Sequence, residues 1–209
     1  VYGKDGETPV DDADLTEHLD SQMYELAYVN IPLYNTSTFV FASDDQKAEM
    51  LQLAQQAATA ANLMDYENVE DQVSALHAAA QSALPDIYAV LDATPSDDAS
   101  SVQTELLTES DLTSTFTQDG AADAVRGLVY GEAAAVQYNG YAMMLAVRLD
   151  PLSVSTLDAL RSQILSDLKG EELDDALAAY GAQMASTLSS SAMGKLPAAK
   201  IVNDTSANS

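Results

Sequence analysis

Residues 133–149 read AAAVQYNGYAMMLAVRL, two apolar runs that are joined by the pair Asn139-Gly140. Apolar runs of this length on either side of a turn signal are typical of paired strands. Asn-Gly is strongly preferred in the two-residue type I′ turn, because both turn residues there need a positive φ. The stretch therefore predicts a β-hairpin with a type I′ turn.

The chain before the hairpin alternates between helical and strand patterns. Apolar residues at a spacing of four predict a short helix over 10–23, and aromatic and β-branched residues predict a strand over 24–33 that ends near Pro32. Ser43 and Gln46 have the spacing of a capping box, which predicts the start of an Ala-rich helix. Further elements are predicted at 69–91 (a helix that Pro85 kinks or breaks), 102–108 (a strand) and 120–129 (a short helix).

After the hairpin, the sequence predicts two helices. Ser155 and Asp158 have the spacing of a second capping box, and Lys169-Gly170 is typical of a helix end. A second helix is expected to begin at Glu171. Its apolar stripe consists of Leu173, Leu177, Tyr180, Met184 and Leu188.

The predicted elements together are typical of an α+β fold in which helices cover a small antiparallel sheet. We divide the chain into a linker and leading helix at 1–23, a central domain at 24–150, and a C-terminal helical pair with a frayed tail at 151–209. A chain of 209 residues with 47% hydrophobic residues can bury a sizeable core, which excludes compositional disorder.

The charge of the chain excludes several classes of partner. It has 33 acidic and 8 basic side chains and a formal net charge of -25. Such a charge repels the phosphate backbone of nucleic acids and anionic lipid surfaces, so we expect no nucleic-acid partner. The sequence has no apolar run of the roughly 20 residues that a membrane span needs, so we expect no membrane insertion of this segment. The chain begins with Val and shows no signal peptide, which predicts a segment of a longer protein.

The residues that could carry chemistry form no recognisable catalytic group. The absence of Cys excludes disulfides, thiolate metal sites and Cys nucleophiles. His18 and His77 are far apart in sequence and lack the spacing of paired metal ligands. The acidic clusters at 11–14, 97–98 and 171–175 match no calcium-binding loop. We therefore expect no metal site and no cofactor.

The segment 121–152, AADAVRGLVYGEAAAVQYNGYAMMLAVRLDPL, resembles the end of a parvulin-type peptidyl-prolyl isomerase domain. That family ends in a short helix, an L-x-x-G-E turn, a strand, a Gly-aromatic turn and a last strand. The residues at these places are Leu128, Gly131, Glu132, Gly140 and Tyr141. The strand at 24–33 and the helix from Ser43 resemble the family's opening strand and first helix.

The flanking segments extend this resemblance. Residues 2–20 and 157–201 resemble the linker and the C-terminal helices of extracellular foldase lipoproteins of Gram-positive bacteria. The resemblance implies a parvulin- or FKBP-like fold and a role in protein folding. It also implies an extracellular location, with a lipid anchor in the full-length protein.

The sequence departs from the parvulin pattern at the catalytic positions. The family's two histidine positions fall at Tyr28 and Ala142, so the resemblance implies no catalytic residue in this chain. The Phe and the Met of the family's proline pocket fall near Ala121 and Thr117, and another apolar position falls at Arg126. The resemblance therefore implies a pocket without its aromatic ring and little or no isomerase activity.

Three functions stay open from the sequence. The first is a foldase or chaperone segment that binds unfolded or extended secreted polypeptides. The second is an active peptidyl-prolyl cis-trans isomerase with an altered pocket. The third is a non-catalytic spacer or a homodimerisation module whose interface is the two tail helices. The candidate peptide-binding residues of the first function are Tyr28, Phe116, Tyr141, Met143 and Met144.

Overall fold

The computed structural model of the chain describes residues 2–4, 6–64 and 66–192. The chain divides into two units, of which the first ends at Ile164 and the second begins at Leu165. In chain order, the elements are α1 (Asp12–Gln22), β1 (Met23–Pro32), α2 (Asp44–Asn62), α3 (Val69–Ala89), β2 (Gln103–Thr108), α4 (Glu109–Thr115), α5 (Ala121–Arg126), β3 (Ala133–Gln137), β4 (Ala142–Leu149), α6 (Pro151–Val154) and α7 (Leu157–Ala192).

The strands form one antiparallel sheet in the order β2-β1-β4-β3. In the register of this sheet, Leu26 of β1 lies opposite Glu105 of β2, and Tyr28 lies opposite Ala146 of β4. The hairpin pairs Gln137 of β3 with Met143 of β4. The predicted α+β fold with a small antiparallel sheet is confirmed.

The two faces of the sheet build two different apolar clusters. Successive residues of a strand point to opposite faces. Val29 and Ile31 of β1, together with Met143 of β4, pack in the cluster that also holds the apolar residues of α2 and α3. Leu26 and Met144 belong to the cluster on the other face, whose remaining members come largely from β2, α4 and α5. Fewer buried apolar residues pack on the second face than on the first. The candidate site lies on this second face.

Two predictions about the helices behind the sheet have different outcomes. The capping box at the start of α2 is confirmed, since the Ser43 side chain accepts from the Gln46 backbone N–H and the Gln46 side chain accepts from the Ser43 N–H. Of the kink or break predicted at Pro85, the break is wrong, because α3 continues through Pro85. Leu84 and Ile87, which flank Pro85, are buried in the core, and this packing offsets the helix bond that proline cannot make.

The hairpin turn differs from the predicted type I′ turn. Neither Asn139 nor Gly140 has a positive φ. The Asn139 side-chain oxygen instead accepts from the backbone N–H groups of Tyr141 and Ala142, at 2.8 and 2.9 Å. The asparagine side chain thus closes the turn itself, and the left-handed backbone that Asn-Gly often supplies is not needed.

Replacing Asn139 by Ala is therefore expected to lower the free energy of unfolding by about 1 kcal/mol, because two backbone donors lose their acceptor. Gly140→Ala is expected to change it by less than about 0.5 kcal/mol, since a Cβ there meets nothing within 4 Å and no left-handed φ must be kept. Urea unfolding of both variants checks this. If the backbone of Gly140 were left-handed, Gly140→Ala would instead lower the free energy of unfolding by about 1–2 kcal/mol. It would then be the more destabilising of the two variants.

Over residues 157–192, the described part of the predicted helical pair, the chain forms the single helix α7 and does not begin a new helix at Glu171. Its first turn is capped by Thr156, whose hydroxyl accepts from the Ala159 N–H at 3.3 Å, and not by Ser155 as predicted. An isolated glycine costs a helix only about 1 kcal/mol. The Lys169–Glu172 ion pair, at 2.7 Å, spans Gly170 and favours continuation. The predicted frayed end at 203–209 lies outside the described residues.

Candidate functional site

A cavity of about 120 Å³ opens on the sheet face opposite α2 and α3. An apolar cavity of roughly 150 Å³ holds a benzene molecule. This cavity is therefore suited to one small apolar side chain or one proline ring. Its lining residues are Leu26, Tyr28, Glu105, Leu107, Thr115, Phe116, Tyr138 and Met144.

Helix α4 positions the aromatic wall of the cavity. It begins directly after β2 with a capping box, in which the Thr108 hydroxyl accepts from the Asp111 N–H and the Asp111 carboxylate accepts from the Thr108 N–H. The helix ends at Phe116, which caps it and is buried. The Phe116 ring lies 5.6 Å from the Tyr138 ring, centroid to centroid, in a tilted arrangement that aromatic pairs favour.

Two tyrosine hydroxyls at the cavity are already engaged. The Tyr28 hydroxyl donates to Glu105 Oε2 at 3.2 Å, and the Tyr138 hydroxyl donates to Asn30 Oδ1 at 2.8 Å. Burial raises the pKa of both phenols, and the negative charge of Glu105 raises the pKa of Tyr28 further. Both hydroxyls therefore stay protonated at neutral pH and serve as hydrogen-bond donors within the protein.

The structure brings three of the five predicted peptide-binding residues together. Tyr28, Phe116 and Met144 all line the cavity. Met143 is fully buried in the core on the opposite face of the sheet, so its prediction as a peptide contact is wrong. Tyr141 is 63% exposed and lies outside the cavity, so its role as a peptide contact stays a prediction.

Tyr141 belongs to a separate aromatic surface, which also includes the exposed Phe39 and Phe41 and the half-buried Tyr34. The ring centroids of Tyr141 and Phe41 lie 5.8 Å apart, and those of Phe41 and Tyr34 lie 5.6 Å apart. Phe39 is 72% exposed and has a φ of 57°, which is unusual for a bulky residue. No local sequence pattern indicates this surface, because its members lie in the loop after β1 and in the hairpin turn.

The resemblance implied a pocket without its aromatic ring, and this stays a prediction. The cavity seen here is lined by an aromatic ring, that of Phe116, next to Thr117. Ala121 instead packs in the apolar cluster behind the cavity, and Arg126 forms ion pairs with Glu109 and Asp123. Sequence reasoning also missed Glu105 and Tyr138, whose contribution depends on strand pairing.

The two histidines of the chain lie outside the cavity lining. His77 is exposed, with its Nε2 3.3 Å from the Ser100 hydroxyl, and His18 is half-buried on α1. Within residues 2–4, 6–64 and 66–192, no group of three or more His, Asp or Glu side chains is placed to hold a metal ion. None of the described helices combines the length and the apolar character that crossing a membrane requires.

In comparisons with known proteins, the chain matches neither a family model, nor a curated protein, nor a solved structure.

Proposed function

We propose that this chain is a parvulin-like foldase or chaperone segment that binds unfolded or extended polypeptides, with little or no prolyl isomerase activity. The observation that carries the proposal is the cavity of about 120 Å³ beside Tyr28, Phe116 and Met144. Its rim includes Thr115 and Glu105, which are exposed. A concave apolar site with a few polar groups at its edge is typical of a binding site.

The order of elements also supports the proposal. The parvulin resemblance implies an opening strand, a first helix, a later short helix, an L-x-x-G-E turn and two final strands, and β1, α2, α5, β3 and β4 follow in that order. At the turn, Gly131 has a φ of 83°, which favours glycine. Tyr28 and Ala142, at the family's histidine positions, lie on the paired strands β1 and β4 and on the sheet face of the cavity.

The chemistry of the cavity is the reason to propose little isomerase activity. The barrier to rotation about a peptide bond is about 18–20 kcal/mol, and a catalyst lowers it by binding the twisted amide more tightly than the planar one. The Tyr28 and Tyr138 hydroxyls donate to Glu105 and Asn30 instead of facing a substrate amide as free donors. The cavity can hold an apolar group, but it offers few free hydrogen-bond donors that would bind a twisted amide more tightly than a planar one.

One observation favours the second candidate, an active prolyl isomerase. The sequence argument for lost activity depended in part on a missing aromatic ring, and Phe116 supplies such a ring. Isomerisation requires no covalent chemistry, so an apolar grip on proline contributes to catalysis by itself. A rate measurement therefore decides between the two candidates.

The experiment uses fluorescein-labelled peptides of Gly and Ser with one central Leu-Pro pair, titrated with the full chain. We expect saturable binding that is about tenfold to a hundredfold tighter than that of a matched peptide with Gly-Gly in place of Leu-Pro, because burying one apolar side chain contributes about 1.5–3 kcal/mol. In a protease-coupled assay of a Leu-Pro peptide, we expect the rate of cis-to-trans isomerisation to be unchanged.

The outcomes separate the candidates. A rate that rises and saturates with peptide concentration establishes the isomerase and overturns the non-catalytic proposal. Equal affinity for the Leu-Pro and Gly-Gly peptides shows that the cavity is not a site for apolar residues.

Self-association through the tail stays a prediction, as do the extracellular location and the lipid anchor. Of the predicted stripe on α7, Leu177 is 59% exposed and Tyr180 is 62% exposed. Exposed apolar residues at helical spacing are what a dimer interface requires.

A further inference from the structure

A carboxylate stands at the rim of the cavity in a defined position. Glu105 lies on β2, one of the two outer strands of the sheet, and its side chain is exposed. The Tyr28 hydroxyl donates to Glu105 Oε2 at 3.2 Å. The second oxygen, Oε1, has no hydrogen bond to any described residue and is available to a partner.

Some of the other charged groups on this face of the sheet are paired with one another. Arg126 forms ion pairs with Glu109 and Asp123. Glu109 also accepts from the Tyr24 hydroxyl at 3.2 Å. Among the described residues that line the cavity, Glu105 is the one that carries a charge. A bound polypeptide therefore meets an apolar cavity whose described lining carries one negative charge, that of Glu105.

We propose that Glu105 selects polypeptide segments in which a Lys or Arg stands next to the apolar residue that enters the cavity. This inference rests on the proposed function, since it names the client class of the same site. An extended chain advances about 3.3–3.6 Å per residue, so a basic side chain one or two residues from the anchor reaches the rim. Tyr28 acts as a positioning residue, because its hydrogen bond holds the carboxylate beside the cavity.

This local effect differs from the attraction that the net charge of -25 exerts on any basic peptide. Long-range attraction is screened over about 8 Å at physiological salt and depends little on where the basic residue stands in the peptide. Pairing with Glu105 depends on that position. An exposed ion pair contributes about 0.2–1 kcal/mol, which corresponds to at most about a fivefold change in affinity.

The test uses the fluorescein-labelled Leu-Pro peptides with the full chain at physiological salt. One peptide has Arg directly before the Leu-Pro pair, a second has the same Arg at its far end, and a third has Glu directly before the pair. We expect the adjacent-Arg peptide to bind about three- to fivefold more tightly than the far-Arg peptide, and the Glu peptide to bind most weakly.

The variant Glu105→Gln is expected to remove the preference for adjacent Arg over far Arg. Glu49→Gln is the matched control, because Glu49 is exposed on α2, behind the opposite face of the sheet, and its replacement changes the net charge equally. We expect Glu49→Gln to keep the preference. Tyr28→Phe is expected to reduce the preference, because the Glu105 carboxylate loses the hydroxyl that holds it beside the cavity.

The remaining results would contradict either the role of Glu105 alone or the proposed function as well. If Glu105→Gln keeps the positional preference, or if Glu49→Gln removes it, Glu105 is not the selecting group. If all Leu-Pro peptides bind the wild-type chain with equal affinity, this inference fails while the proposed function stands. If none binds more tightly than the Gly-Gly peptide, both fail.

Discussion

Replacing Met143 by Ala is expected to lower the free energy of unfolding by about 3 kcal/mol, within the range of about 2–5 kcal/mol for truncating a buried Met. The Met143 side chain has 0% exposure and packs in the core between the sheet and the helices α2 and α3. Its truncation removes apolar contacts and leaves a cavity that the surrounding strands and helices fill only in part. Urea unfolding with the slope m compared to wild type gives the measurement.

The matched control is Met64→Ala, which truncates a methionine that is 45% exposed. We expect it to change the free energy of unfolding by less than about 0.5 kcal/mol. The affinity of folded Met143→Ala for the Leu-Pro peptide is expected to equal that of wild type. A loss of affinity without a loss of stability would instead return Met143 to the binding site, as the sequence predicted.

Met143 and Met144 show why the site could be only partly derived from the sequence. Adjacent residues of a strand point to opposite faces, so only one of the two methionines can reach the cavity. In β4, residues 142–147 are all buried, and both faces are covered. A strand covered on both sides reads as a continuous apolar run without alternation, so no pattern indicates which residue faces which cluster.

The residues that the sequence analysis missed depend on contacts that are distant in the chain. Tyr28 is hydrogen-bonded to Glu105, which is 77 positions away in the sequence, and Tyr138 is hydrogen-bonded to Asn30, which is 108 positions away. Such pairs follow from the strand order β2-β1-β4-β3, which no local pattern states. Phe116 lies at the cavity because it follows directly on α4. The sequence does signal the start of that helix, through a capping box at Thr108.

Local signals predicted the elements well where they agreed with the packing, and failed where another interaction competed. The Ser43 capping box is followed by buried apolar residues of α2, and both features favour the same helix. Pro85 and Gly170 weaken a helix locally, but each lies within a helix that neighbouring residues stabilise. At Asn139, the side-chain hydrogen bonds replaced the backbone geometry that the Asn-Gly pair predicts.

Replacing Thr115 by Phe is expected to weaken binding of the Leu-Pro peptide by about tenfold or more, since one buried apolar side chain contributes about 1.5–3 kcal/mol. Thr115 is exposed at the end of α4 and lines the cavity. A phenyl ring there occupies the space that the peptide side chain would fill. Because the residue is exposed, we expect the free energy of unfolding to change by less than about 0.5 kcal/mol. Peptide titration and urea unfolding of the same variant measure both effects.

Ser114→Phe provides the matched control, because Ser114 is also exposed and adjacent on α4 but lies outside the cavity lining. It adds the same ring to the same surface, so we expect wild-type affinity. If both variants bind like wild type while the peptide still prefers Leu-Pro over Gly-Gly, the apolar residue binds elsewhere. The exposed aromatic surface is then the alternative, and Tyr141→Ala would weaken binding instead. A loss confined to Thr115→Phe locates the apolar residue in the cavity, because the two variants differ only in whether the added ring reaches it.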